Sequence, residues 1–393
     1  MDVVDAVDVV DVVALGESMV TFLPTRPGRL ADVPSFDRAI GGAESNVACA
    51  LAAAGHPVRW VSRVGADGFG DHLVEAIGSY GVDIASVRRD PARPTGVYFR
   101  TAGDRATDAH EVAYYRAGSA ASAMSVDTVD LDAVRAGRVL HLTGITAALS
   151  DDCLGLLREL TAHRPGRPLI SFDVNHRAGL WRTADGARVL LELARAADLV
   201  FVGEDEAEET WGITGGPAAI RETLPEPRVL VVKQGARGAT TFEDDGGGDG
   251  GGGARVGGAP PAPGRGGRGG RGAFGPGRAD RLRLVPALPT GAGRSTVTFV
   301  PAPAVQVSAA VGAGDAFAAG FLSATLRGLP ARARLRHGHL MAAAALTAPG
   351  DLAVPPTREH ADRLADLDDP SWETLRLGPG WTQAAAPEEV HTP

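Results

Sequence analysis

The segment Val311-Gly312-Ala313-Gly314-Asp315-Ala316-Phe317 sets two glycines just ahead of a stretch patterned as an amphipathic helix. Glycines there let the chain turn tightly. They leave unbonded backbone N–H groups at a helix N-terminus, a hole suited to phosphate or to charge on a moving phosphoryl group. Asp315 falls in the first helical turn. It is either a carboxylate favoured by the helix dipole or a general base that accepts a proton from a substrate hydroxyl; these residues alone leave both open. A second glycine pair, in Gly41-Gly42-Ala43-Glu44-Ser45-Asn46, also opens a helical pattern. Gly42 would let a ligand approach the backbone, and Asn46 offers a donor and an acceptor. A turn with a helix cap has the same appearance.

These residues need a frame. Apolar runs ending in small residues lie at 9–15, 58–64, 139–143, 169–173, 199–202 and 229–233. Helical patterns separate them at 44–54, 70–80, 151–163, 184–196 and 204–211. Unbroken apolar strands flanked by helices predict an α/β fold with a mostly parallel central sheet, covered on both faces. Ligands in such folds sit beyond the carboxyl ends of the strands, so both glycine motifs can face one crevice. Residues 95–102 and 111–117 instead alternate, with Tyr98, Phe99, Tyr114 and Tyr115 among them. They read as antiparallel strands that, together with 21–24, form a small sheet, a lid that would exclude water.

Composition narrows the class. A third of the 52 glycines crowd between Gly246 and Arg278, in a stretch that includes Arg-Gly-Gly repeats. Residues 245–295 therefore read as a disordered insertion between two strands, too poor in apolar surface to offset its ordering entropy. The tail 381–393 reads likewise, leaving one domain over 8–380. A net charge of −9 argues against a nucleic-acid coat, although RNA binding through the Arg-Gly-Gly segment is a third reading of function. No apolar run reaches the roughly 20 residues of a membrane span and the N-terminus is acidic, so a cytoplasmic protein is expected. The two cysteines, Cys49 and Cys153, lie inside apolar helical patterns and are expected to be buried thiols.

The two glycine motifs together resemble the signatures of the ribokinase-like (PfkB) sugar kinases. The first runs from Gly41 through Asn46 and Gly55 to Gly65, the second from Gly312 to Asp315. Tyr114-Tyr115-Arg116-Ala117-Gly118-Ser119-Ala120, Leu140-His141-Leu142-Thr143-Gly144-Ile145-Thr146 and Asp173-Val174-Asn175-His176-Arg177 resemble the branch that phosphorylates 2-keto-3-deoxygluconate. The resemblance implies a three-layer α/β/α domain whose lid is built from about 18–40 and 95–117. It implies transfer of the ATP γ-phosphoryl group to the 6-hydroxyl of that sugar acid, with Asp315 as base and Gly312, Ala313 and Gly314 stabilising the moving group. Gly42, Asn46, Tyr98, Tyr114, Arg116 and Arg177 would bind the sugar, the arginines its carboxylate. Lys233, Gly235 and Gly238, with Gly312 and Gly314, would bind ATP, and Glu206 would orient Mg²⁺ through water. A neutral-sugar kinase of the fructokinase or ribokinase kind is the alternative. The implied partners are ATP and a small sugar acid, and the apolar face of the lid would pair subunits into a homo-oligomer. Two segments depart from the family pattern. Ala309-Ala310 replaces its usual Asp-Thr, which puts a potassium site in doubt, and Gly203 replaces the Asn of its magnesium motif.

Overall fold

The unbroken apolar runs become the inner strands of one sheet. In the computed structural model the described residues are 10–101, 111–181, 185–244, 295–308, 311–348, 350 and 352–383. The proposed insertion up to residue 294, the pair Ala309-Ala310 and the tail beyond 383 lie outside them. Strand β1 (Val12–Leu15) opens the core, and the chain leaves it for lid strands β2 (Met19–Pro24) and β3 (Phe36–Gly41). It returns in α1 (Ala43–Ala53), β4 (Val58–Gly65), α2 (Gly68–Ser79) and β5 (Val87–Asp90), then leaves again for lid strands β6 (Val97–Arg100) and β7 (Val112–Tyr115). Next come α3 (Leu131–Arg135), β8 (Val139–Thr143), α4 (Gly144–Ala147), α5 (Asp151–Thr161), β9 (Leu169–Asp173), α6 (Gly186–Ala196) and β10 (Leu199–Gly203). The chain continues through α7 (Glu204–Trp211), α8 (Gly216–Thr223), β11 (Val229–Lys233), β12 (Ala239–Asp244) and β13 (Ser295–Val300). Helices α9 (Ala313–Leu326), α10 (Ala331–Thr347) and α11 (Arg358–Ala365) follow.

The large sheet has nine strands in the order β13-β12-β11-β10-β9-β8-β1-β4-β5. Its pairings are parallel except those of β12 with β11 and β13. Alternate residues of each strand feed opposite faces. Val12, Ala14, Phe201 and Val231 pack under α1, α9 and α10, whereas Val13, Leu15, Val200 and Val232 pack under α5, α6 and α8. Three layers with the sheet in the middle follow directly from that alternation. Strand β1 pairs with β4 on one side and β8 on the other. The chain thus reverses its direction of travel across the sheet there, the place where α/β folds open a ligand crevice.

The lid is a separate four-stranded sheet, β3-β2-β6-β7. Strands β6 and β7 pair antiparallel, as expected, and β2 joins β6 in parallel. Side-chain alternation has the same period in both arrangements, so the pattern carried no information on direction. Residues 381–383, expected to belong to the tail, are ordered. Trp381–Gln383 form a short helical turn, held because Trp381 packs on the core and lies 5.8 Å from the His360 ring. Cys49 and Cys153 are buried and unpaired, and burial raises their thiols to about 12 and about 11.

Helices α9 and α10 pack closely enough that one position admits only glycine. A Cβ on Gly320 would lie 2.3 Å from the His337 carbonyl oxygen and 2.8 Å from Met341 Cγ. Gly→Ala inside a helix usually gains about 1 kcal/mol from propensity, but overpacking costs about 1–3 kcal/mol. Gly320→Ala should therefore lower the denaturation midpoint. Equal or greater stability in a denaturant titration would show that the helices can part without cost.

Candidate active site

Asp173, Gly203 and Lys233 end the adjacent strands β9, β10 and β11, with Gly203 and Lys233 directly opposite in register. Helix α9 brings its N-terminus to the same edge. Its cap, Gly312, has φ 75°, a left-handed conformation that glycine adopts without strain. Ala313, Gly314 and Asp315 form the first turn, whose N–H groups precede the helical ladder and have no acceptor within it. The backbone donors that the sequence predicted are therefore present. Lys233 stands beside them, its Nζ 3.6 Å from where a Cβ on Gly314 would be.

Asp315 is partly buried and accepts a 2.8 Å hydrogen bond from Asn46 Nδ2. Burial pushes its carboxyl up to about 7. The Asn46 bond opposes this, the Asp173 charge adds to it, and Lys233 and Arg177 oppose it again. A carboxylate poised near neutrality can both lose and accept a proton under working conditions. The other Asn46 amide atom, Oδ1, is buried and has no protein partner, so it remains an acceptor for a ligand.

Lys233 Nζ reaches both oxygens of Asp173, at 3.0 and 2.9 Å. Burial would lower this ammonium, but Asp173 and Glu206, with Asp315, raise it instead. Glu206 accepts from the backbone N–H groups of Gly203, at 2.9 Å, and of His176. Burial pushes its carboxyl up, Lys233 draws it down and Asp173 adds to the rise. Glu206 thus staples the start of α7 to the loop after β9. Among the described residues no three His, Cys, Asp or Glu side chains gather as a metal cage.

The predicted sugar-side residues divide into two groups. Asn46 sits with Asp315. Arg177 follows a turn in which Asn175 takes φ 40°, uncommon for a residue other than glycine; its Nη1 donates to the His176 carbonyl at 2.8 Å and its charge is felt at Asp315. Tyr98, Tyr114 and Arg116 belong to the lid. Tyr98 is buried and Tyr114 is 50% exposed, with ring centres 5.5 Å apart. Arg116 lies 5.8 Å over the Tyr114 ring and pairs with the buried Glu17. Gly42 is explained by the chain itself. A Cβ there would meet the Glu17 carbonyl oxygen at 2.5 Å and Ser18 Cα at 2.8 Å, so it seats α1 against the β1–β2 turn. Gly238 is similar, blocked by the Val300 carbonyl oxygen at 2.3 Å, whereas Gly235 turns with φ 58° in open space.

Sequence reasoning passed over Asp173, Glu17 and Glu44. Asp173 closes an apolar strand with an acid, a signal that was readable. Glu44 is fully buried, receives Thr146 and Thr143 hydroxyls at 2.6 and 2.8 Å, and is raised by burial to about 6.

The chain matches the pfkB family carbohydrate kinases over residues 10–261 and 290–358. It is 31% identical to a 2-dehydro-3-deoxygluconokinase of Bacillus subtilis across 89% of this chain and 93% of that protein. It is also 31% identical to fructokinase-1 of Zea mays, across 60% of this chain and 73% of that one. The crystal structure of a PfkB protein from Polaromonas is 30% identical, with a TM-score of 0.68 over 90% of this chain and 99% of that chain. With a nine-stranded sheet, a lid and a glycine-capped α9 carrying Asp315, the chain belongs to the pfkB carbohydrate kinase family and is an ATP-dependent sugar kinase.

Proposed function

We propose that the sugar phosphorylated is 2-keto-3-deoxygluconate (2-dehydro-3-deoxygluconate), at its 6-hydroxyl, giving 2-keto-3-deoxy-6-phosphogluconate. The observation that carries the mechanism is Asp315 at the N-terminus of α9, held by Asn46 and poised near neutrality. Asp315 takes the proton of the 6-hydroxyl as that oxygen attacks the γ-phosphorus. The bond from the γ-phosphorus to the β,γ-bridging oxygen breaks, and ADP leaves with the bonding pair. Backbone N–H groups of Gly312, Ala313 and Gly314 meet the charge spread over the moving group. Lys233 supplies a fixed ammonium next to them. The acid substrate is supported by two arginines, Arg116 and Arg177, on the sugar side, since planar guanidinium forks suit carboxylates.

The residues fit magnesium only at one remove. Asp173 is engaged by Lys233, and Glu206 already accepts two backbone N–H groups, so Glu206 would hold the ion through water while ATP phosphates ligate it directly. When bound, the ion neutralises phosphate charge. A neutral ketose is the second reading, favoured by one observation: Arg116 already has a carboxylate partner in Glu17.

Three measurements test this. At saturating ATP, kcat/KM for the sugar should fall on the acid side with an apparent pKa near 7, because Asp315 must be ionised to act; a flat profile from about pH 6 to 8 rules the base out. Asp315→Asn should abolish most of kcat yet raise Tm at pH 8. The sign follows from linkage: a carboxyl whose folded value is about 7, against about 3.9 unfolded, costs stability as pH rises through that window, fully so above it. The Tm gain should vanish near pH 4. Arg177→Ala, which strands no buried partner, should raise KM for the sugar acid by about 10- to 100-fold, the worth of one or two charged hydrogen bonds, and barely move KM for fructose. Equal losses on both sugars would favour the neutral ketose.

A further inference from the structure

The lid is fastened at its base by one buried ion pair. Glu17 lies in the turn between β1 and β2, where the chain leaves the core sheet for the lid, and Arg116 follows β7, where it returns. Glu17 Oε2 pairs with Arg116 Nη2, their side chains 1% and 9% exposed. Glu17 Oε1 accepts a 2.6 Å hydrogen bond from Ser119 Oγ, which fixes the carboxylate from the other side. Gly96, just before β6, leaves room for the pair. A Cβ there would lie 3.0 Å from Glu17 Oε1 and 3.4 Å from Arg116 Cβ. One donor remains: Arg116 Nε is buried with no hydrogen-bond partner. A second buried carboxylate, Glu44, is close enough to feel the Arg116 charge.

We propose that Glu17 is the positioning residue that gives the sugar site its acid specificity, by holding Arg116 as a fixed fork whose remaining N–H edge receives the substrate carboxylate. This rests on the reading of the substrate as a sugar acid. A buried guanidinium without a counter-charge is costly, and removing one partner of such a pair is strongly destabilising. Glu17 removes that cost before substrate arrives and takes one Nη, so Arg116 cannot swing. The donor left over is directional. A fork set in advance also loses less side-chain entropy when the substrate binds. Discrimination then comes from the angle and spacing of a planar carboxylate rather than from diffuse positive charge, which would attract any anion.

The test uses the full-length enzyme with 2-keto-3-deoxygluconate and ATP as varied substrates. Glu17→Gln keeps the size and the Ser119 contact but removes the charge. KM for the acid should rise at least about tenfold, the equivalent of one charged hydrogen bond, while kcat and KM for ATP stay near wild type and Tm falls, because the buried guanidinium loses its counter-charge. Glu17→Asp should give an intermediate KM. Gly96→Ala crowds the pair without deleting either charge and should move KM for the acid in the same direction, so the proposal stays testable even if Glu17→Gln fails to fold. An unchanged or lower KM for the acid overturns it, as does a parallel loss in kcat and in both KM values, which would mark a structural brace. Wild-type enzyme that turns over fructose but not the acid overturns the substrate reading and this proposal together. Wild-type enzyme that uses the acid, while Glu17→Gln keeps its KM, overturns the role of Glu17 alone.

Discussion

The hydrogen bond from Asn46 Nδ2 to Asp315 Oδ2 joins segments 269 residues apart, and it constrains everything around it. It requires the first turn of α1 and the first turn of α9 to meet over one edge of the sheet. Both helices pack on the same sheet face, and their N-termini arrive in step only because the backbone contacts beneath them are unusually close. Gly42 lets α1 press against the β1–β2 turn. Gly16 leaves space for the Glu44 carboxyl, 2.1 Å from where a Cβ would stand. On the far side, Gly320 and Gly338 let α9 settle on α10, with the Phe317 ring 2.9 Å from a Cβ placed at Gly338. A methyl group at Gly42 or Gly320 would press on neighbouring backbone, so the contacting helix would have to move.

The same edge carries more negative charge than positive: Asp173, Glu206 and Asp315 around one ammonium, Lys233. Such a balance is unfavourable for a resting protein and useful for phosphoryl transfer, where positioning and charge neutralisation supply most of the catalysis. Asp173 keeps Lys233 from wandering and, as a like charge, helps hold the Asp315 carboxyl high. Beneath them His141, kept neutral by burial at about 4, bonds Ser171 at 3.0 Å. The polar layer therefore continues two residues below the strand ends without adding a charge.

Much of this was legible in the sequence, and the limits have physical causes. Runs such as 139–143 and 169–173 matched their strands because a strand covered on both faces is apolar throughout and stops where polarity begins. Gly312 to Asp315 announced the glycine-capped start of α9 because glycine spacing at a helix start is a local feature. The pairings were not local. Lys233 with Asp173 spans 60 residues, and nothing in either segment names its partner. Gly42 was read as a place for a ligand; a Cβ there would also meet Glu17 and Ser18, and a glycine needed for chain packing looks the same in sequence as one needed for a substrate. Helices α10 and α11 carried no expectation at all.

The pair at the lid base asks why a buried salt bridge is kept where an apolar contact would serve. Stability alone is a poor reason, because replacing a buried ion pair with well-packed apolar residues is often neutral or stabilising by about 1–4 kcal/mol. Elsewhere at the lid base the sequence takes the apolar option: Phe22, Phe69 and Phe99 form a ring cluster with centroids 4.8 to 5.7 Å apart. At Glu17 and Arg116 it does not. The chain also spends Gly96 to make room for them and Ser119 to orient the carboxylate. A protein that needed only to tie its lid down had cheaper means in the adjacent aromatics. One that must present a guanidinium in a single orientation, in a place shielded from water, needs a carboxylate behind it.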